Sequence, residues 1–504
     1  MGAFRWIKTL RIGIAVISVG VVNMATAQES GKTVRPAQFA GTWYPGEREG
    51  LAKTIDELLA KAKPPSLSDR PLAVIAPHAG YRYSAPVAAT GFRSLQGQAY
   101  KRAIVMAFSH REASSYQGVD VPRELTAYET PLGQIPIDRQ VCDDLLKNRS
   151  FVSNAGLDRG EHSLELQLPL LQRALAGKAF KLVPLYVGRM SEEDLTRAAQ
   201  AILPWLDDET VLVASSDFTH FGANFGYTPF KDDAGKKLHE LGDQAAAPLL
   251  NSDYDGFIAH LDKTGDTICG RGPISLLLRI LTMRGGAQGV RTGFDTSGDM
   301  TGDWSNSVTY EAFVFTRRPG KLDKQAREEL LKIARQTATA YVNGKQPPAV
   351  EASKLPAGAK QDGACFVTLQ NHGQLRGCIG NMMAEGPLCQ AVQRNAVSAC
   401  QDSRFLDNPV TAKELGEIDI EISFLTPMQR VKSFDELVIG RHGLLISYKG
   451  QRGVLLPQVA YERGWTRTFF LEEVCRKAGL PRDTWKKPDA ELHSFEAEVF
   501  GEKE

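Results

Sequence analysis

The chain has almost no net charge: 60 lysines and arginines stand against 59 aspartates and glutamates over 504 residues. Without a global field, nucleic acid or an anionic membrane is not attracted at long range, and partners have to be recognised locally. No two cysteines form a C-x-x-C pair, which excludes zinc-ribbon and thioredoxin-like readings on spacing. A Ser-His-Asp order, a P-loop, a dinucleotide fingerprint and an internal repeat are all missing. Long apolar runs are missing too. The one candidate, Ile12 to about Val22, is short for a membrane span of ~20 residues.

That short run has its own meaning. Arg5, Lys8 and Arg11 precede it and Ala25-Thr26-Ala27 follows, the pattern of a secretory signal peptide cut before Gln28. An uncleaved anchor is the alternative. No cysteine stands directly after the cut, which argues against a lipoprotein. The mature protein is expected to be periplasmic or secreted, without stable membrane insertion, where thiols can oxidise. Cys142, Cys269, Cys365, Cys378, Cys389, Cys400 and Cys475 remain. An odd count leaves at least one thiol without an intramolecular partner.

With 42% hydrophobic residues the chain can build two or three cores. From Ala37 to about Thr316 short apolar runs alternate with helical patterns such as Glu192 to Leu206, as in an α/β domain of βαβ units. Arg317-Arg318-Pro319-Gly320 breaks the pattern. A helix with Leu322, Ala326, Leu330, Ile333, Ala334 and Tyr341 on one face follows. A loop rich in Pro, Gly and Lys runs from Gly344 to Gly363. Phe366 to Leu369, Ile418 to Phe424 and Gly443 to Tyr448 then read as strands, the second alternating cleanly. A half-exposed antiparallel sheet covered by helices fits them, making the second domain α+β. The expected layout is a signal peptide at 1–27 and domains at 33–318 and 321–504.

Three apolar runs of the first domain each end in a polar loop carrying histidine. Leu72 to Ala76 leads to His78, Ala103 to Phe108 leads to His110, and Val211 to Ala214 leads to Asp217 and His220. Runs without alternation read as parallel strands buried on both faces. Open α/β sheets bind ligands outside the carboxyl ends of such strands, so the loops should converge. A cluster of imidazoles there suits metal binding or proton transfer. Glu161 and His162 read as the opening of an amphipathic helix, Glu161 favouring its dipole and His162 forming either a site wall or a core hydrogen bond. Asp217 is either a turn cap or part of the site.

Four stretches carry a resemblance: Ala40-Gly41-Thr42-Trp43-Tyr44-Pro45, Ala76-Pro77-His78-Ala79-Gly80-Tyr81, Glu161-His162-Ser163-Leu164-Glu165-Leu166-Gln167-Leu168-Pro169, and Ser216-Asp217-Phe218-Thr219-His220. In this order they resemble the motifs of the Memo family, also called AmmeMemoRadiSam system protein B. The second domain resembles the AMMECR family, AmmeMemoRadiSam system protein A, through Leu375 to Gly380, Asp402-Ser403-Arg404-Phe405 and Gly453 to Val459. The Memo fold is similar to that of class III extradiol dioxygenases, which hold non-haem iron with two histidines and a carboxylate. The resemblance implies His78, His110 and Cys269 as metal ligands, with Asp217 and His220 beside them as general base or supporting groups; His162, in the third stretch, is a further catalytic candidate. Two imidazoles and a thiolate suit Fe(II) or Cu ahead of Zn, and Arg271 or the metal would lower the Cys269 pKa. His110 is followed here by Arg111, where the family often has a second histidine.

In the second domain Arg376 and Arg404 could line a groove with Cys378 as a nucleophile. The structural alternative is a tight strand turn at Gly377 and Gly380 with Asp402 paired to Arg404, leaving a binding module. The resemblance also implies a radical-SAM partner, which conflicts with export. The leading functional expectation is a metal-dependent oxidoreductase or oxygenase acting on an aromatic small molecule or peptide side chain. A non-catalytic metal-binding scaffold is the alternative, and a metal-dependent hydrolase the third reading.

Overall fold

The structure is a computed structural model that describes residues 33–503 apart from 68, 112–115, 155, 176–177, 285 and 318–321. The expected signal peptide, its cut before Gln28 and most of the Arg317 to Gly320 breaker lie outside the described residues. Among the described residues no helix is long and apolar enough to cross a membrane.

The first half is built on a mixed sheet of nine described strands. Its centre holds β1 (Pro71–Ala76), β2 (Arg102–Ala107), β3 (Lys181–Val187) and β4 (Thr210–Ser215), ordered β1-β4-β2-β3 and all parallel. Valine, isoleucine, leucine and alanine fill them because both faces are covered: Ala73 to Ala76, Ala103 to Ala107 and Val211 to Ala214 are buried. β5 (Asn306–Thr316) runs antiparallel beside β1 and also pairs with Gln288–Thr296. The covering helices include α1 (Tyr81–Arg93), α2 (Gln167–Ala174), α3 (Glu192–Ile202), α4 (Tyr254–Thr264) and α5 (Arg271–Met283). α3 starts at the expected place because the Ser191 side chain accepts from Asp194 N, and Glu192, Glu193 and Asp194 favour the positive end of the helix. α2 starts later than expected. Residues 163–166 form a turn, and Pro169, which has no N–H to give, sits within the first turn of a helix that begins at Gln167.

The second half is a seven-stranded antiparallel sheet with helices on it, the α+β pattern expected. α6 (Lys324–Val342) buries Ala326, Leu330, Ile333 and Ala334, four of the positions its periodicity marked. The strands are β6 (Ala364–Asn371), β7 (Gln374–Gly380), β8 (Ile418–Leu425), β9 (His442–Tyr448), β10 (Gln451–Leu455) and β11 (Glu491–Gly501), with a short seventh at Gln429–Arg430. In β8, Ile418, Ile420 and Ile422 are buried while Asp419 and Glu421 are half-exposed, which is the alternation read from the sequence. β11 joins the sheet's two parts: residues 491–496 pair with β9 and residues 497–501 with β8.

The halves have separate apolar cores, formed within residues 44–315 in the first and within 322–500 in the second. Polar contacts join them. Arg467 forks onto Asp253 (2.8 and 3.0 Å), its backbone N–H donates to Asp255, and the buried Arg279 of α5 donates to the Gly464 carbonyl.

Candidate metal centre

The loops after β1, β2 and β4 do converge. His78 follows β1 by two residues and is 1% exposed. His110 follows β2, and its ring lies 5.3 Å from that of His78 at a right angle. His162 enters from the turn before α2, its ring stacked on His110 at 4.3 Å. One nitrogen from each of His78, His110 and His162 lies within 4.8 Å of the others. His162, expected as a catalytic or supporting group, thus stands among the nitrogen donors. Cys269 is adjacent: its Sγ lies 3.3 Å from His78 Nε2 and 3.4 Å from the Asp217 carbonyl oxygen, but it is not one of the three clustered groups.

The electrostatics favour neutral nitrogen donors. Burial and the neighbouring His110 hold His78 well below the usual imidazole range. Burial, followed by His78 and His110, brings His162 down to about 3. A ring that is already neutral offers the lone pair of its one unprotonated nitrogen directly. The Cys269 thiol departs from expectation: burial and the Asp217 carboxylate push it well above the ordinary value. Arg271 gives no help, because its side chain is 56% exposed and leans toward Asp262.

Glu161 serves no helix dipole, since α2 begins only at Gln167, and its carboxylate instead holds His110. Its Oε2 accepts the His110 backbone N–H (2.6 Å), and its Oε1 accepts His110 Nδ1 (3.0 Å) and the Ser163 N–H (2.7 Å). Burial alone would raise this carboxyl, yet the His110 hydrogen bond and charge and the Ser163 N–H outweigh it and bring it to about 2. Ser215, the last residue of β4, bonds His78 Nδ1 at 2.8 Å, and Gln167 in turn holds Ser215. Sequence reasoning passed over both. Their only signal was position, Ser215 at a strand's carboxyl end and Gln167 in the same stretch as His162.

Asp217 is buried, and its Oδ1 accepts the N–H groups of His78 and Ala79, tying the β1 and β4 loops together. Burial holds its carboxyl above the usual range, with His220 opposing. His220 is half-buried, and its Nδ1 faces the carbonyls of Phe218 (2.9 Å) and Thr267 (3.2 Å). Carbonyls only accept, so Nδ1 carries the proton and Nε2 the lone pair. Aromatic walls flank the centre. Trp43 sits 4.3 Å from the His162 ring with Phe39 beside it, and Phe225 meets His220 edge-on at 5.2 Å; Trp43 and Phe225 are 36% and 42% exposed.

The motif that supplies Trp43 is anchored from below. Glu165, fully buried, accepts Arg35 (2.6 Å), the Tyr44 hydroxyl (2.7 Å) and the N–H groups of Phe39 (2.8 Å) and Gln38 (3.1 Å). Residues 35–44 and the turn bearing His162 therefore share one carboxylate.

The sequence profile of the Memo-like protein family matches residues 35–314, more than half of the chain. The chain belongs to the Memo family. The AMMECR1 profile matches residues 331–500 of the same chain. Among similar proteins, the protein memo-1 homolog of Caenorhabditis elegans is 29% identical over 255 residues, covering 49% of this chain and 71% of that protein. A MEMO1 family protein of Schizosaccharomyces pombe is 31% identical over 277 residues, covering 49% and 87%. Protein MK0488 of Methanopyrus kandleri is 37% identical over 196 residues, covering 36% and 92%.

The motif residues of the AMMECR1 domain serve the backbone. Asp402 Oδ2 accepts the Cys378 N–H and Arg404 donates to the Cys378 carbonyl, so this pair closes the free edge of β7 as a neighbouring strand would. Gly377 lies against the C-terminal end of α7 (Leu388–Cys400), where any Cβ would run into the Ala399 carbonyl oxygen. Arg376 is held by Glu414. All seven cysteines are free thiols.

Proposed function

We propose that this Memo-family chain is a metal-binding protein and, with a transition-metal ion bound, an oxidoreductase acting on an aromatic small molecule or an aromatic peptide side chain. The convergence of His78 and His110, at the carboxyl ends of parallel strands, with His162 from the segment before α2 carries the reading. The donor set fits a metal: three imidazoles meet, and burial together with the neighbouring rings depresses the proton affinity of His78 and His162. His78, His110 and His162 would hold the ion, with the Cys269 thiol in reach of the same edge of His78. A bound Fe(II), Cu or Zn ion would supply Lewis acidity, and the first two a change of oxidation state.

The chain's own residues fill the other roles. Trp43 and Phe225 offer exposed faces on which a flat apolar group can stack. His220, with its Nε2 lone pair free of the Phe218 and Thr267 carbonyls, is placed to take a proton from a phenol or indole. Asp217 keeps the two loops in register and balances charge beside them. In this reading, which extends to a likeness with the extradiol dioxygenases, the AMMECR1 domain is a binding module and the chain is exported. Export would keep it from an oxygen-sensitive radical-SAM partner.

A second reading rests on the donors themselves. None of the three clustered groups is a carboxylate, and Glu161 turns its oxygens to His110 and Ser163 instead. A scaffold that binds metal without turnover needs no more. Metal analysis of protein purified without oxygen, followed by oxygen-uptake assays with phenolic and indolic compounds, separates the two. Bound metal with uptake supports the oxidoreductase, metal without uptake supports the scaffold, and a metal-free protein that takes up no added Fe(II), Cu or Zn overturns both.

A further inference from the structure

Three imidazoles can meet without making a site, because each ring has two nitrogens and only the unprotonated one can donate. What decides the matter is the partner of the other nitrogen. Hydrogen-bond counting around this cluster settles that for two rings.

For His78 the partner is Ser215. The Ser215 hydroxyl has one hydrogen and two lone pairs. Its hydrogen goes to the Ser163 carbonyl at 2.5 Å, since a carbonyl can only accept. One lone pair takes the Gln167 amide N–H at 2.8 Å, an amide nitrogen also aimed at the carbonyls of Ala76 and Pro77 and so fixed in its flip state. What remains toward His78 Nδ1, 2.8 Å away, is a lone pair. Nδ1 must therefore carry the proton, and Nε2 presents its lone pair on the side of Cys269.

For His110 the partner is Glu161, an acceptor on both oxygens. Oε2 is taken by the His110 N–H, and Oε1 faces His110 Nδ1 with the Ser163 N–H beside it. The same Oε1 lies 3.5 Å from His162 Nδ1. Glu161 is 1% exposed, so water does not compete for these oxygens.

We propose that Glu161 and Ser215 are positioning residues that lock His110 and His78 as Nδ1–H tautomers, turning both Nε2 lone pairs to the centre. The metal role of this lock rests on the function proposed above; the tautomers themselves do not. Glu161 adds a buried negative charge behind the donors, which raises imidazole basicity toward a cation. Ser215 does the same geometric task without charge. The two act differently: loss of Glu161 removes orientation and charge together, loss of Ser215 orientation alone.

The test has two arms on the full chain. In metal-free wild type carrying 15N-histidine, with resonances assigned through single His→Gln variants, the ring nitrogen shifts report the tautomer directly. Nδ1–H at both His78 and His110 is expected, and Nε2–H at either overturns the lock for that ring. In the second arm Co2+ affinity is measured by chelator competition for wild type, Glu161→Gln and Ser215→Ala. Glu161→Gln should weaken binding by roughly 10- to 100-fold and Ser215→Ala by less, each variant shifting only its own ring toward Nε2–H. Affinity within about twofold of wild type in both folded variants overturns the positioning role. Should Glu161→Gln fail to fold, Ser215→Ala and the wild-type shifts still decide. A wild type that takes up no Co2+ yet shows Nδ1–H at both rings refutes the metal-site reading and leaves the tautomer lock standing.

Discussion

Replacing Glu165 with glutamine tests how the first motif of the chain is held to the centre. Glu165 is 0% exposed and Arg35 is 2% exposed, so their 2.6 Å contact is a dry ion pair. Four donors converge on the carboxylate: the Arg35 guanidinium, the Tyr44 hydroxyl and two backbone N–H groups. Glutamine keeps the shape but replaces one oxygen with an NH2 group, which must face either Arg35 and the Gln38 N–H or Tyr44 and the Phe39 N–H. Either way donor meets donor. Arg35 keeps its bonds to the Asp158 and Glu161 carbonyls and the more distant Asp158 carboxylate at 3.6 Å, but its buried charge loses the counter-ion in direct 2.6 Å contact. Breaking one side of a buried pair costs about 3–5 kcal/mol. For a unit of this size 1 kcal/mol is about 2 °C of melting temperature, so the first domain should melt roughly 6–10 °C lower. Calorimetry of Glu165→Gln and of Arg35→Met reads the loss, and the double variant should lose less than the sum because it removes the orphaned charge. Trp43, flanked by two anchored residues, should lose its fixed stacking on His162 and show red-shifted emission. A loss below about 1 kcal/mol in Glu165→Gln would refute the anchor.

Three further outcomes follow from other parts of the structure. Burial, opposed by Arg291, raises Glu311 to about 8, so folded protein keeps this proton where unfolded chain, near 4.5, has released it; stability should fall by up to about 1.4 kcal/mol per pH unit as pH rises from about 4.5 to 8, and Glu311→Gln should flatten that slope in urea titrations, whereas an unchanged slope excludes this group. Gly270→Ala drives a Cβ into Ser216 and the Ser215 carbonyl just before α5, and this overpacking should cost about 1–3 kcal/mol and displace Cys269, read by slower thiol labelling or its acceleration against wild type; identical labelling and stability would show that the loop yields freely. Arg467→Ala leaves Asp253 unpaired between the domains and should cost about 1–3 kcal/mol while both separate cores survive, so limited proteolysis should release two folded fragments faster than from wild type; equal rates would mean the Arg467 fork does not hold the domains together.

Periodicity made most of the secondary structure legible before any coordinates. Apolar runs without alternation could be placed only as strands covered on both faces, and the Ile418 to Phe424 alternation only as a half-exposed one, because the burial pattern of a strand is written in its own residues. Strand ends could be located too, and with them His78, His110, Asp217 and His220. The tertiary structure decided which of these groups meet. His162 joins His78 and His110 because the turn before α2 folds back over β2, a contact across more than fifty residues that no local pattern encodes. Cys269 is brought against His78 Nε2 across almost two hundred residues, and its surroundings raise the thiol instead of lowering it, since burial depends on what packs around a group and not on the charged neighbour in sequence. Glu161, Ser215 and Gln167 were equally hidden. Glu161 and Ser215 act through hydrogen bonds to the His110 and His78 rings and Gln167 through one to Ser215, and a hydrogen bond is fixed by distance and direction in space, which a linear chain does not carry.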